Sequence, residues 1–103
     1  MSGDYDIGAV DEVIHGRVRL GVMAYLTGSG GSAEFNEIKK RLNATDGNLS
    51  VHLTKLEEAG YVRIEKTYAG KKPLTRVHLN DTGREAFRRY LDAINALLAP
   101  AAQ

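Results

Sequence analysis

The sequence predicts a mainly α domain with one small β-hairpin, in the order helix, helix, helix, hairpin, helix. Three observations carry that expectation. Apolar residues recur at spacings of three and four in separate stretches along the chain. Two runs, YVRIEKTY (61–68) and LTRVHLN (74–80), alternate apolar and polar residues around the loop-forming AGKKP, the pattern of an antiparallel pair. The chain has 103 residues, 43% hydrophobic and 26% charged, which suits one domain with one core.

Residues 1–8 are expected to be a flexible N-terminus, 9–99 the single domain and 100–103 a flexible C-terminus. The first helix is expected from Val10 to Leu26, on Val10, Val13, Ile14, Val18, Leu20, Val22, Met23 and Leu26, with Gly16 and Gly21 as weak spots. TGSGG ends it. In SAEFNEIKKRLN, Phe35 is placed in a short extended piece, and Asn36 is the expected N-cap of a brief helix carrying Ile38 and Leu42. Asn43 and Ala44 make a tight turn. Thr45 caps the next helix, with Asp46 facing its positive end. Gly60 suits the left-handed position after that helix. Asn80 or Asp81 caps the last helix, from about Thr82 to Leu98.

The third helix, TDGNLSVHLTKLEEAG, carries an oddity. Gly47 lies in its first turn, where glycine costs about 1 kcal/mol relative to alanine. At about 100° per residue, Leu53 and Leu56 fall within about 40° of Leu49, an apolar stripe for the core. Gly47, Asn48, Val51, Thr54 and Lys55 point away from it. Ser50 is on the edge and His52 nearer the core. The outward set holds no acid before Glu58. Charge along the chain is uneven in the same sense. Residues 1–38 hold 2 basic and 6 acidic side chains, residues 39–76 hold 9 and 4, and residues 77–103 hold 3 and 3, for a net charge of +1.

Two short helices joined by LNATD, followed by a basic hairpin, form a helix-turn-helix with a wing. The blocks RLGVMAYL, FNEIKKRLNATDGNLSVHLTKLEEAGYVRIEK and GKKPLTRVHLNDTGREAF resemble the small winged helix-turn-helix transcriptional regulators of the MarR and ArsR kind, from about Ile14 to Leu91. Asn80 departs from the Thr usual there, but it caps equally well. The resemblance implies a three-helix core, a wing at 61–79, a C-terminal dimerisation helix, and residues 45–59 as the recognition helix in the major groove of double-stranded DNA.

Side-chain chemistry then gives the expected contacts. They are Thr45, Gly47, Asn48, Ser50, Val51, Thr54 and Lys55 on the helix. Asn48 can pair with adenine, and Val51 can pack on a thymine methyl. Ser50 and Thr54 can reach bases or phosphate, and Lys55 phosphate. Missing a side chain, Gly47 lets the helix approach closely. Lys66, Lys71, Lys72 and Arg76 are expected around the hairpin turn, on the backbone or in the minor groove. Lys39 and Lys40 can add phosphate contacts.

The last helix carries Ala86, Phe87, Tyr90, Leu91, Ile94, Leu97 and Leu98 as a seam over four turns. A domain this small is expected to bury only part of it, so Phe87, Tyr90, Leu91, Ile94, Leu97 and Leu98 are assigned to a homodimer interface. A two-fold dimer calls for a pseudo-palindromic DNA site.

Other classes fit less well. Without cysteine there is no disulfide or thiolate chemistry. No apolar run reaches the roughly 18 residues of a membrane helix, and the acidic N-terminus is unlike a signal peptide, so a cytoplasmic protein is expected. Asp11 and His15 stand four apart on the expected first helix, a spacing that suits a metal, but no further ligands accompany them. No phosphate loop or nucleophile motif occurs, so neither catalysis nor a cofactor nor a bound metal is expected. The alternative function is a winged-helix protein-interaction module that does not bind DNA. No effector ligand is assigned.

Overall fold

The computed structural model describes residues 7–99. The expected flexible C-terminus, and all of the N-terminal one except Ile7 and Gly8, lie outside them. After a 3-10 turn at Ile7–Ala9 the elements are α1 (Arg17–Gly28), β1 (Ser32–Glu34), α2 (Phe35–Leu42), α3 (Asp46–Glu58), β2 (Val62–Ala69), β3 (Lys72–Leu79) and α4 (Asp81–Leu98).

The first helix is shorter than its periodicity suggests. Asp11 Oδ1 accepts the amides of Val13 at 2.8 Å and Ile14 at 3.3 Å, which winds residues 11–15 into a turn. Gly16 is then fully extended, at φ 171° and ψ 147°, and the helix begins after it. Val10 and Ile14 imitate a helical stripe because both reach the core, at 7% and 0% exposure. The expected Asp11–His15 helical pair therefore does not form. Asp11 accepts backbone amides and the Tyr61 hydroxyl at 2.5 Å, and His15 Nδ1 meets the Tyr90 hydroxyl at 2.8 Å.

Around β1 the sequence reading is displaced by a residue or two. The extended piece is Ser32–Glu34, and Phe35 opens α2 instead of lying in it. Glu34, not Asn36, is the N-cap, and the Glu37 carboxylate accepts the Glu34 amide at 3.5 Å. The strand also has a partner. It pairs antiparallel with β3 from Ser32↔His78 to Glu34↔Arg76, making a three-stranded sheet of order β1-β3-β2. The β2–β3 hairpin runs from Val62↔Leu79 to Ala69↔Lys72 around a two-residue loop. Gly70 takes the loop's first position at φ 67°, a conformation open to glycine. Pro73 lies in β3 beyond the reach of β1, where its missing amide is not needed.

The helix boundaries have local causes. Asn43 ends α2 in the left-handed region at φ 53°. The Thr45 hydroxyl accepts the Asn48 amide at 3.1 Å, capping α3. At its other end, the Gly60 amide donates to Glu57 O at 2.9 Å and the Tyr61 amide to Leu56 O at 2.9 Å, with Gly60 at φ 82°. Asn80 caps α4 by accepting the Gly83 amide at 2.9 Å. The start of α4 meets the root of the hairpin closely. The Asn80 amide donates to Tyr61 O at 3.2 Å, and a Cβ at Gly83 would lie 2.1 Å from that same oxygen.

One core joins every element. Val22, Met23 and Leu26 of α1, Ile38 of α2 and Leu49, Leu53 and Leu56 of α3 are fully or almost fully buried, with Val62 and Val77 from the sheet. Phe87 and Tyr90 belong to this core, at 7% and 3% exposure. The expected dimer seam is thus divided. Its first turns close the protomer, because the sheet and α1 leave that space for α4. Leu91 and Leu98 remain 44% and 65% exposed, with Ile94 and Leu97 partly buried.

Candidate nucleic-acid interface

Three buried leucines seat α3, so its opposite side is fixed outward. Thr45, Gly47, Asn48, Ser50, Val51, Thr54 and Lys55 are all exposed, and Val51 is 58% exposed despite being apolar. Beyond its chain neighbours and its own helix backbone, no atom of the described residues comes within 4 Å of a Cβ placed on Gly47, so packing there does not require glycine. His52 is half-buried, and its Nδ1 is enclosed without a hydrogen-bond partner among the described residues, in keeping with its boundary position. The Thr54 hydroxyl donates to Ser50 O at 3.0 Å, which uses its proton and leaves the oxygen's lone pairs as acceptors. Asp46, the one acid in the first turn, is paired with Lys39 at 2.8 Å. This pairing neutralises the acid and also occupies Lys39, whereas Lys40 is exposed on α2.

The hairpin stands beside α3 and is tied to it where Ile64 donates its amide to Glu57 Oε2 at 3.0 Å. Between them runs an open cleft lined by Ser50, Thr54, Lys66 and Thr75 above Phe35, Leu53 and Ile64, together with two acids that are already engaged, Asp46 by Lys39 and Glu57 by the Ile64 amide. Lys66, Lys71 and Lys72 are exposed and form no ion pair among the described residues. Arg76 behaves differently from its expected place at the turn. It sits four pairs inward from the hairpin's end, donates to Ser32 Oγ at 3.1 Å and lies 3.9 Å from the Glu34 carboxylate. The unseen third strand accounts for the difference, since β1 offers Arg76 two polar partners.

The protein is similar to known ones in ways that decide its family. The winged helix DNA-binding domain family matches residues 18–98. The chain belongs to that family. It is 39% identical over 80 residues to an uncharacterized protein of Methanocaldococcus jannaschii, covering 78% of this chain and 86% of that one. Among solved structures it is similar to a transcriptional regulator homologue from Pyrococcus horikoshii OT3, with TM-score 0.82 and 33% identity over 90% of this chain and 91% of that one. It shares its fold with the YusO protein of Bacillus subtilis, with TM-score 0.69 and 21% identity over 95% of this chain and 64% of that one. The winged helix-turn-helix expected from the residues, of the MarR/ArsR-like kind, is therefore the fold of this chain.

In winged-helix terms, α2 and α3 are the helix-turn-helix and β2–β3 is the wing. Two further ties brace this unit. His78 Nε2 lies 2.8 Å from Glu65 Oε1 across the wing, and that hydrogen bond holds the Glu65 carboxyl below its usual range. The Tyr25 hydroxyl donates to Glu37, which lowers the Glu37 pKa likewise, while the Arg41 guanidinium stands 5.9 Å from the Tyr25 ring centre. Sequence reasoning passed over Tyr68, which is 69% exposed near the wing's end and opposite Pro73. Its position on the same strand face as Lys66 was a usable signal. Among the described residues no three His, Asp or Glu side chains gather to hold a metal, and no helix is long and apolar enough to cross a membrane.

Proposed function

We propose that the protein is a sequence-specific, double-stranded DNA-binding transcriptional regulator acting as a homodimer, with no catalytic activity. One observation carries the reading: the outward face of α3 is acid-free from Gly47 to Lys55 and lies across a cleft from a wing whose lysines form no ion pair among the described residues. A helix of this kind enters the major groove by its N-terminal half. Asn48 and Val51 then read base edges, Ser50 and Thr54 line the path of a phosphate strand, and Lys55, Lys66, Lys71 and Lys72 neutralise phosphates. Arg76 steadies the wing from the β1 side, and Lys39 shields Asp46 while remaining near the backbone.

The exposed Leu91 and Leu98, beside Ile94 and Leu97, supply an apolar strip for a second copy. A two-fold pair sets the two α3 helices on half-sites about 34 Å apart, so the DNA target is pseudo-palindromic. Cytoplasmic placement follows from that target. Residues 47–55 would carry acids had the fold turned to binding proteins, and they hold none, which disfavours the interaction-module alternative. The test is retention of duplex DNA as a function of salt. Affinity should fall with a log–log slope near −0.9 per phosphate neutralised. Binding that ignores salt, or no retention at low salt, refutes the reading.

A further inference from the structure

The outer wing has features that phosphate binding alone does not use. β1 pairs only with residues 76–78, so from Lys66↔Thr75 outward the wing is a bare two-stranded ribbon. It projects roughly 10 Å at about 3.3 Å per residue. Residues 66–76 hold four cations and no acid. At its end stands Tyr68, 69% exposed, its hydroxyl without a partner among the described residues. Side chains alternate along a strand, so Tyr68 shares a face with Ile64 and Lys66, which line the cleft toward α3. Its cross-strand partner Pro73 shares that face with Thr75, also in the cleft. The aromatic ring therefore lies on the α3 side of the wing, one step beyond the cleft.

We infer that Tyr68, backed by Pro73, is an apolar wedge that enters the minor groove flanking the bases α3 reads, and selects deformable base steps there. The inference rests on the DNA-binding reading above. With α3 in the major groove, one phosphate strand runs through the cleft past Ser50, Thr54 and Lys66. What lies beyond that strand is the adjoining minor groove. Apolar side chains inserted there partly unstack a base step, and pyrimidine–purine steps such as TA and CA yield most easily. Lys71 and Lys72 hold the phosphates on either side. Pro73 fixes its own backbone torsion and stiffens the ribbon behind the ring. Gly70, lacking a side chain, keeps the tip narrow.

The experiment is selection of duplexes from a random pool by the wild type, Tyr68→Ala, Tyr68→Phe and Lys72→Ala, with melting curves for each. Tyr68 is exposed, so all four proteins should melt together. The wild type should prefer TA or CA steps about 5 base pairs outside the α3-read bases. Tyr68→Ala should lose that flanking preference and roughly tenfold in affinity, while keeping the inner bases. Tyr68→Phe should keep both, and Lys72→Ala should weaken all sites alike. A wild-type profile from Tyr68→Ala, or a flanking preference that disappears equally in Lys72→Ala, overturns the wedge while leaving DNA binding intact. Failure of the wild type to retain any duplex overturns the DNA reading itself, and the wedge with it.

Discussion

Single residues carry separable duties in this fold, and substitutions can tell them apart. Asn48→Ala should relax preference at particular base pairs, by about 1–3 kcal/mol, without lowering the melting temperature, as a selected-site profile and a melt would show. Gly47→Ala should do the reverse on stability. No neighbour obstructs the new methyl, so the helix gains about 0.5–1 kcal/mol. DNA affinity should nevertheless fall in a titration, because on the proposed docking the methyl stands where the helix approaches the groove. If affinity is unchanged, Gly47 has no part in the approach. Gly83→Ala belongs to a different class. Its methyl would meet the Tyr61 carbonyl at 2.1 Å, so the loss in denaturant unfolding should reach or exceed the upper end of the roughly 1–3 kcal/mol that overpacking costs.

At the level of elements, the parts legible in the sequence were those whose signals are local. Thr45 and Asn80 as caps, Gly60 after α3, and the Leu49, Leu53, Leu56 stripe each follow from neighbours within a turn or two. The outward face of α3 was legible for the same reason, being the complement of that stripe. Pairing across the chain was not. A three-residue strand has no periodicity of its own, so β1 became visible only beside His78 and Arg76. Val10 and Ile14 were spaced like helix positions, although Asp11 turns the chain between them. That turn is pinned by Tyr61, whose hydroxyl is pushed up to about 12, first by burial and then by its bond to Asp11. A raised pKa stabilises the fold fully below the ordinary tyrosine value near 10. The contribution is lost as pH rises through about 12. Stability measured across that interval should decline more steeply in the wild type than in Tyr61→Phe.

For the whole molecule, the exposed surface of α4 is where the proposed homodimer can be tested. Leu91→Glu together with Leu98→Glu should leave the protomer folded, because both side chains are outside the core, yet yield a monomer in sedimentation. Such a monomer should bind a half-site much as before and lose the gain that a palindrome gives two linked binders, some 10²-fold or more. A double variant that stays dimeric would place the interface elsewhere.

The junction at Tyr61 has a mechanical meaning. One carbonyl accepts the Asn80 amide and also lies against Gly83, so the first turn of α4 and the base of β2 share a fulcrum with no side chain between them to absorb strain. The hairpin extends eight residues from that point, about 26 Å at 3.3 Å per residue. A 5° tilt at the fulcrum displaces its far end by about 2 Å at that length. In the proposed homodimer, the helix that meets the second copy and the basic ribbon are two arms of similar reach, since the 18 residues of α4 span about 27 Å at 1.5 Å per residue.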